Sequence, residues 1–175
     1  MVEVETPHGL ARAELRTVPG PRAALVLGHG AGGGIAAPDL AAAARAANAA
    51  GFSVALVEQP YLVAGRRSPA PAHQLDAAWL SVIAHLAGGE LRGLPLVLGG
   101  RSAGARVACR TAAGAGALAV MCLAFPLHPP GRADDPAKSR LGELQAVRVP
   151  VLVVQGERDP FGMPPRGRRR KVVSV

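Results

Sequence analysis

Short apolar runs alternate along the chain with stretches whose apolar residues recur at helical spacing. Val2-Glu3-Val4-Glu5 alternates apolar and polar, Pro7-His8-Gly9 reads as a turn, and residues 10–18 can return as a second strand. That pattern predicts an antiparallel N-terminal hairpin. Residues 23–27 (Ala-Ala-Leu-Val-Leu) are apolar throughout, as expected of a strand buried on both faces. The run ends in Gly28-His29-Gly30-Ala31-Gly32-Gly33-Gly34, after which Pro38 opens a helix through Ala50, with Gly51 as its stop. A strand is expected at 52–57, then a turn-rich connector over 59–71. Leu75, Trp79, Val82, Ile83 and Leu86 mark the next helix, and Gly88-Gly89 ends it. Further strands are expected at 96–98, 118–124, 151–154 and 171–175, with a loop over 127–140 and a short helix over 141–146. Strands alternating with helices predict one mostly parallel sheet with helices on both faces.

Such sheets place their sites at the carboxyl ends of the strands. Three polar stretches fall there: His29 with its glycines, Ser102 and Asp159. Ser102 is central in Gly100-Arg101-Ser102-Ala103-Gly104, after an apolar run and before an alanine-rich helical stretch. That is the context of a nucleophile elbow, a strand-to-helix turn so tight that the serine is held strained with its hydroxyl exposed. Taken alone, Ser102 fits an ordinary strand–helix turn, and Asp159 fits a turn residue before Pro160.

Composition narrows the picture. With 175 residues, the chain has room for a single domain over 1–175. Hydrophobic residues make up 49% and aromatics 3%, so the core is built of Ala, Val and Leu. The net charge of +8 raises nucleic acid as a partner. Its densest part is five cations in the six residues 166–171, with almost no aromatics to stack on bases, so a solvated basic loop is expected and no nucleic acid. No apolar run is long enough for a membrane span, and the N-terminus lacks the pattern of a signal peptide. Cys109 and Cys122, in a predicted helix and a predicted strand, suit a reduced, cytoplasmic protein. No His or Cys pair has ligand spacing, so neither metal nor cofactor is expected.

The ordered series Gly28-His29-Gly30-Ala31-Gly32, Gly100-Arg101-Ser102-Ala103-Gly104 and Gly156-Glu157-Arg158-Asp159 resembles the α/β-hydrolases. It is most similar to the small lidless group with testis-expressed-protein-like and NSL-complex-subunit-like domains, within the dienelactone-hydrolase-like superfamily. The segment 125–131 also resembles that group. The resemblance implies an α/β-hydrolase fold without a cap domain, and only 24 residues (126–149) are available where a cap would sit. It implies Ser102 as nucleophile, Asp159 as the acid of the triad, and an oxyanion hole from the N–H of Ala103 and that of Ala31 or Gly32. His29, Arg101 and His128 are then expected to line the substrate site, and the partner to be a small acyl substrate such as an ester.

One member of that constellation is missing. The base should be a histidine after the eighth strand, yet no histidine follows Asp159 in the remaining 16 residues. The chain is therefore expected to be truncated at its C-terminus relative to the family, with impaired catalysis. His29 belongs to the oxyanion loop and His128 is the nearest substitute base, while His8, His73 and His85 fit surface or packing positions. Two rival readings remain. A hydrolase-like module that binds a protein partner fits the missing base. Dinucleotide binding fits Gly28-His29-Gly30-Ala31-Gly32-Gly33 and Glu58, although Pro38 starts the helix too late for that motif.

Overall fold

The computed structural model describes residues 1–132 and 135–175. Among them, strands β1 (Val2–Thr6), β2 (Gly9–Arg16), β3 (Ala23–Gly28), β4 (Phe52–Glu58), β5 (Leu96–Arg101), β6 (Ala119–Leu123), β7 (Val151–Gln155) and β8 (Arg170–Ser174) form one sheet. The helices are α1 (Pro38–Ala49), α2 (Pro60–Val63), α3 (Ala72–Gly88), α4 (Ala103–Thr111) and α5 (Leu141–Ala146), with a 3-10 turn at Pro136–Lys138. The expected strands and main helices are all present. The connector over 59–71 differs: it contains α2, because Pro60 presets the first helical φ and Tyr61 is buried as its anchor.

The sheet order is β1-β2-β4-β3-β5-β6-β7-β8, antiparallel among β1, β2 and β4 and parallel from there on. The fully buried β3 is central, and the chain pairs β4 on one side of it before crossing to β5 on the other. Here the order reverses, so the segments after β3 and β5 diverge and leave a crevice between strand ends that face the same way. Gly28 pairs with Gly100 at that point, which brings the glycine loop beside Ser102.

Strand alternation divides the core. One face carries Val26, Leu98, Val120, Val153 and Val172, packed with Trp79, Ile83 and Leu144 from α3 and α5 and with Val107 and Ala108 of α4. The other face carries Leu25, Leu27, Leu56 and Leu123 against Leu40 and Ala44 of α1. On this second face an open apolar groove of about 1280 Å³ runs between the α1 alanines and the basic segment 166–171. Neither Ser102 nor Asp159 lines it. Arginine pairs fix α4 to its neighbours: Arg106 holds Glu143 of α5 at 2.9 and 2.6 Å, and Arg110 holds Asp76 of α3 at 2.8 and 2.6 Å. No helix is long and apolar enough, among the described residues, to cross a membrane.

Candidate active site

Ser102 is the hinge between β5 and α4. Its backbone sits at φ 52°, ψ −108°, a conformation that costs a residue with a Cβ about 1–3 kcal/mol. Its neighbours hold it there. The Ser102 N–H donates to the Leu123 carbonyl at 2.9 Å, tying the turn to the end of β6. Gly100 and Gly104 let the turn close: a Cβ on Gly100 would stand 2.5 Å from the Gly28 carbonyl oxygen, and one on Gly104 would overlap the same peptide. Helix α4 starts at Ala103, so the positive end of its dipole lies directly behind the serine.

The glycine loop forms the opposite wall. His29 is 3% exposed and has both ring nitrogens engaged. Its Nδ1–H donates to the Gly30 carbonyl at 2.8 Å, and its Nε2 accepts the Gln59 N–H at 3.0 Å. A backbone N–H can only donate, so Nε2 is unprotonated and the ring is the neutral Nδ1–H tautomer. Burial lowers the His29 pKa, against the Gly30 carbonyl and the Glu58 charge. The ring therefore organises the loop and has no free nitrogen to offer a substrate or a hydroxyl. Among the described residues, no hydrogen bond takes the N–H of Ala31, Gly32 or Ala103. The loop runs on to Pro38 before helix starts, so no helix N-terminus opens within the glycines.

Arg101 faces the α1 side of the sheet. Its Nε donates to Asp39 Oδ2 at 2.7 Å, while Asp39 Oδ1 accepts the Leu40 N–H at 2.9 Å in the first turn of α1. A Cβ on Gly30 would lie 3.1 Å from Arg101 Nη1 and 3.5 Å from Ser102 Cβ, so the loop backbone is wedged between those two side chains.

Asp159 lies in the turn after β7, two strands from β5 and at the same strand-end edge of the sheet as Ser102, the two strands being about 10 Å apart. Its Oδ1 accepts the Phe161 N–H at 2.8 Å, and its backbone closes turns with Gly156 and Gly162. Oδ2 takes no hydrogen bond among the described residues. His128 is half-buried against this turn: its N–H donates to the Phe161 carbonyl at 3.0 Å, and a Cβ on Gly162 would lie 3.2 Å from its Nδ1. That Nδ1 is itself buried without a partner. No histidine among the described residues hydrogen-bonds to Ser102 or Asp159.

Two contributors are not visible as such in the sequence. Gln155, fully buried at the end of β7, donates Nε2 to the Phe125 and Gly162 carbonyls, each at 3.1 Å, and so joins the segment before His128 to the Asp159 turn. A polar residue closing an apolar run is its sequence signal. Ala124, at φ 49° after β6, is a second strained residue at this edge, held by its N–H on the Val154 carbonyl at 2.9 Å. Nothing in the sequence points to it.

The fold has counterparts among known proteins. A family model described as an alpha/beta hydrolase domain matches residues 21–172. Curated proteins give no match. Among solved structures, the chain is similar to an α/β serine hydrolase without lid from Xanthomonas campestris, with 18% identity and a TM-score of 0.73 over 99% of this chain and 82% of that one. Est1E from Butyrivibrio proteoclasticus, solved with ferulic acid bound, is similar at 15% identity and a TM-score of 0.78, over 100% of this chain and 89% of that one. A dienelactone hydrolase from Anabaena variabilis is similar at 19% identity and a TM-score of 0.69, covering 90% of this chain and 73% of that one. The chain therefore belongs to the alpha/beta hydrolase domain family, and it has the fold of that family's lidless, dienelactone-hydrolase-like members.

Proposed function

We propose that the protein is a serine hydrolase of small esters or related acyl compounds, with Ser102 as the nucleophile. The observation that carries this reading is the strained Ser102 backbone beside a glycine loop whose Ala31 and Gly32 N–H groups, among the described residues, donate to no hydrogen bond. In the mechanism, the Ser102 oxygen adds to the acyl carbon while its hydroxyl proton passes to solvent water and the C=O π bond opens to an oxyanion. The resulting oxyanion is received by the Ala103 N–H, backed by the α4 dipole, and by the N–H of Ala31 or Gly32. Each such donor is worth about 3 kcal/mol at the transition state. Collapse of that adduct expels the alcohol, protonated from water, and a second water then hydrolyses the acyl-serine to the free acid. Asp159 is the carboxylate that would orient an imidazole base through its unengaged Oδ2. Arg101 and His128 flank the acyl substrate from the two sides, and His29 acts on it only through the loop. The open edge suits short acyl groups.

Among the described residues no imidazole is hydrogen-bonded to Ser102, so no side-chain base takes its proton during attack and turnover is slow. The oxyanion donors and the binding surface alone supply about 10³-fold over water. Hydrolysis of p-nitrophenyl acetate tests this: a weak rate that drops in Ser102→Ala supports it, and a rate unaffected by Ser102→Ala overturns it. The lack of a histidine hydrogen-bonded to Ser102 among the described residues favours a second reading, a hydrolase-like module that binds a protein partner without turnover. That reading predicts no ester hydrolysis above the Ser102→Ala background.

A further inference from the structure

Helix α2 lies in a stretch with no apparent tie to the chemistry, yet its first turn meets the glycine loop. Gln59, the residue before α2, donates its N–H to His29 Nε2 at 3.0 Å. Tyr61, 3% exposed, tilts its ring against His29 with centroids 5.7 Å apart, and its hydroxyl donates to the Ala31 carbonyl at 3.3 Å. The two sides of Ala31 are thus held by different elements. The carbonyl before it, that of Gly30, is taken by the His29 ring. The carbonyl of Ala31 itself is taken by Tyr61.

A planar trans peptide points its C=O and its following N–H in opposite directions, and no cis peptide occurs among the described residues. Anchoring the Gly30 carbonyl on His29 therefore aims the Ala31 N–H away from the ring. Anchoring the Ala31 carbonyl on Tyr61 aims the Gly32 N–H away from α2. Both bonds leave the amides pointing out of the loop's supports, and those are the amides that no other group uses.

From this we propose that Tyr61 is a positioning residue: its hydroxyl fixes the peptide plane that presents the Gly32 N–H to the oxyanion, while His29 fixes the plane that carries the Ala31 N–H. The proposal rests on the hydrolase reading for its catalytic meaning, but the orientation of the loop can be measured without it. The hydroxyl touches only a carbonyl oxygen, so it takes no part in bond making. Its effect is on the geometry available when charge develops, a transition-state term more than a ground-state one.

The test is Tyr61→Phe in the full chain, which keeps the buried ring and deletes only the donor. Two measurements apply. In ¹⁵N relaxation, the Gly32 amide of the variant should fall towards an order parameter of about 0.6, while the Ala31 amide, whose peptide is held by His29, and those of α1 and β3 stay near 0.85. With p-nitrophenyl acetate, kcat should fall about tenfold with KM within about twofold, because a misaimed donor loses part of the hundredfold or more that a deleted one loses. A purely structural role would lower Tm and leave kcat of the folded protein unchanged. An unchanged order parameter at Gly32 overturns the proposal, as does an unchanged kcat in an active protein. If the wild type shows no ester turnover, the hydrolase reading fails, and the amide dynamics still decide whether Tyr61 holds the loop.

Discussion

The buried, neutral His29 makes the stability of the fold depend on pH in a predictable direction. Protonation would add a second N–H at Nε2, directed at the Gln59 N–H that it now accepts, and would place a cation in a site that is 3% exposed. Burial accordingly lowers the pKa below 6.5, the carbonyl of Gly30 and the charge of Glu58 opposing it only in part. Between the folded pKa and 6.5 the unfolded chain binds a proton that the folded chain does not, so stability rises with pH there. The contribution is complete above about pH 6.5 and is lost as the pH falls below it. One proton corresponds to a slope of up to about 1.4 kcal/mol per pH unit. With a urea m-value of about 2 kcal/mol/M, the midpoint should drop by up to about 0.7 M per pH unit.

The assay is urea unfolding, followed by Trp79 fluorescence, at several pH values from 7.5 to 5.0, for wild type and His29→Asn. The variant should be less stable at pH 7.5 by about 1–3 kcal/mol, since the Gln59 N–H loses its acceptor. It should also lack the extra acid slope. Parallel pH profiles for the two proteins between 5.0 and 6.5 would refute the reasoning, as would a wild type that gains stability on acidification.

Other outcomes follow from the same packing. Ser102→Gly relieves the backbone at φ 52° and should raise Tm by about 2–4 °C for each kcal/mol released, as read by calorimetry, while lowering turnover to the level of Ser102→Ala. Gly104→Ala drives a Cβ into the Gly28 peptide and should cost about 1–3 kcal/mol in urea unfolding while lowering any esterase rate. Gln155→Leu frees the Phe125 and Gly162 carbonyls inside the core. It should cost about 1–3 kcal/mol, with hydrogen exchange rising selectively at Phe161 and Gly162.

Much of the architecture could be read from the chain because its signals are local. Apolar runs bounded by Gly and Pro mark the strands, and Leu75, Trp79, Val82, Ile83 and Leu86 mark α3. The elbow was legible for the same reason, since Gly100, Ser102 and Gly104 lie within five residues and their contacts with Gly28 explain the glycines. What escaped the sequence depends on distant partners. The engagement of Arg101 with Asp39 spans 62 positions, and that of Tyr61 with Ala31 spans 30. Helix α2 is four residues long, too short for a periodic pattern, and takes its stability from the buried Tyr61. The strain at Ala124 has no local signature because alanine has no preference for a positive φ; it is imposed by the β6–β7 pairing.

The claim that Ser102 is the nucleophile is tested most directly by a fluorophosphonate probe, read by intact mass and peptide mapping. The account predicts one slowly formed adduct on Ser102, absent in Ser102→Ala and after unfolding in urea. An unmodified protein after long exposure, or an adduct that persists in Ser102→Ala, would contradict it.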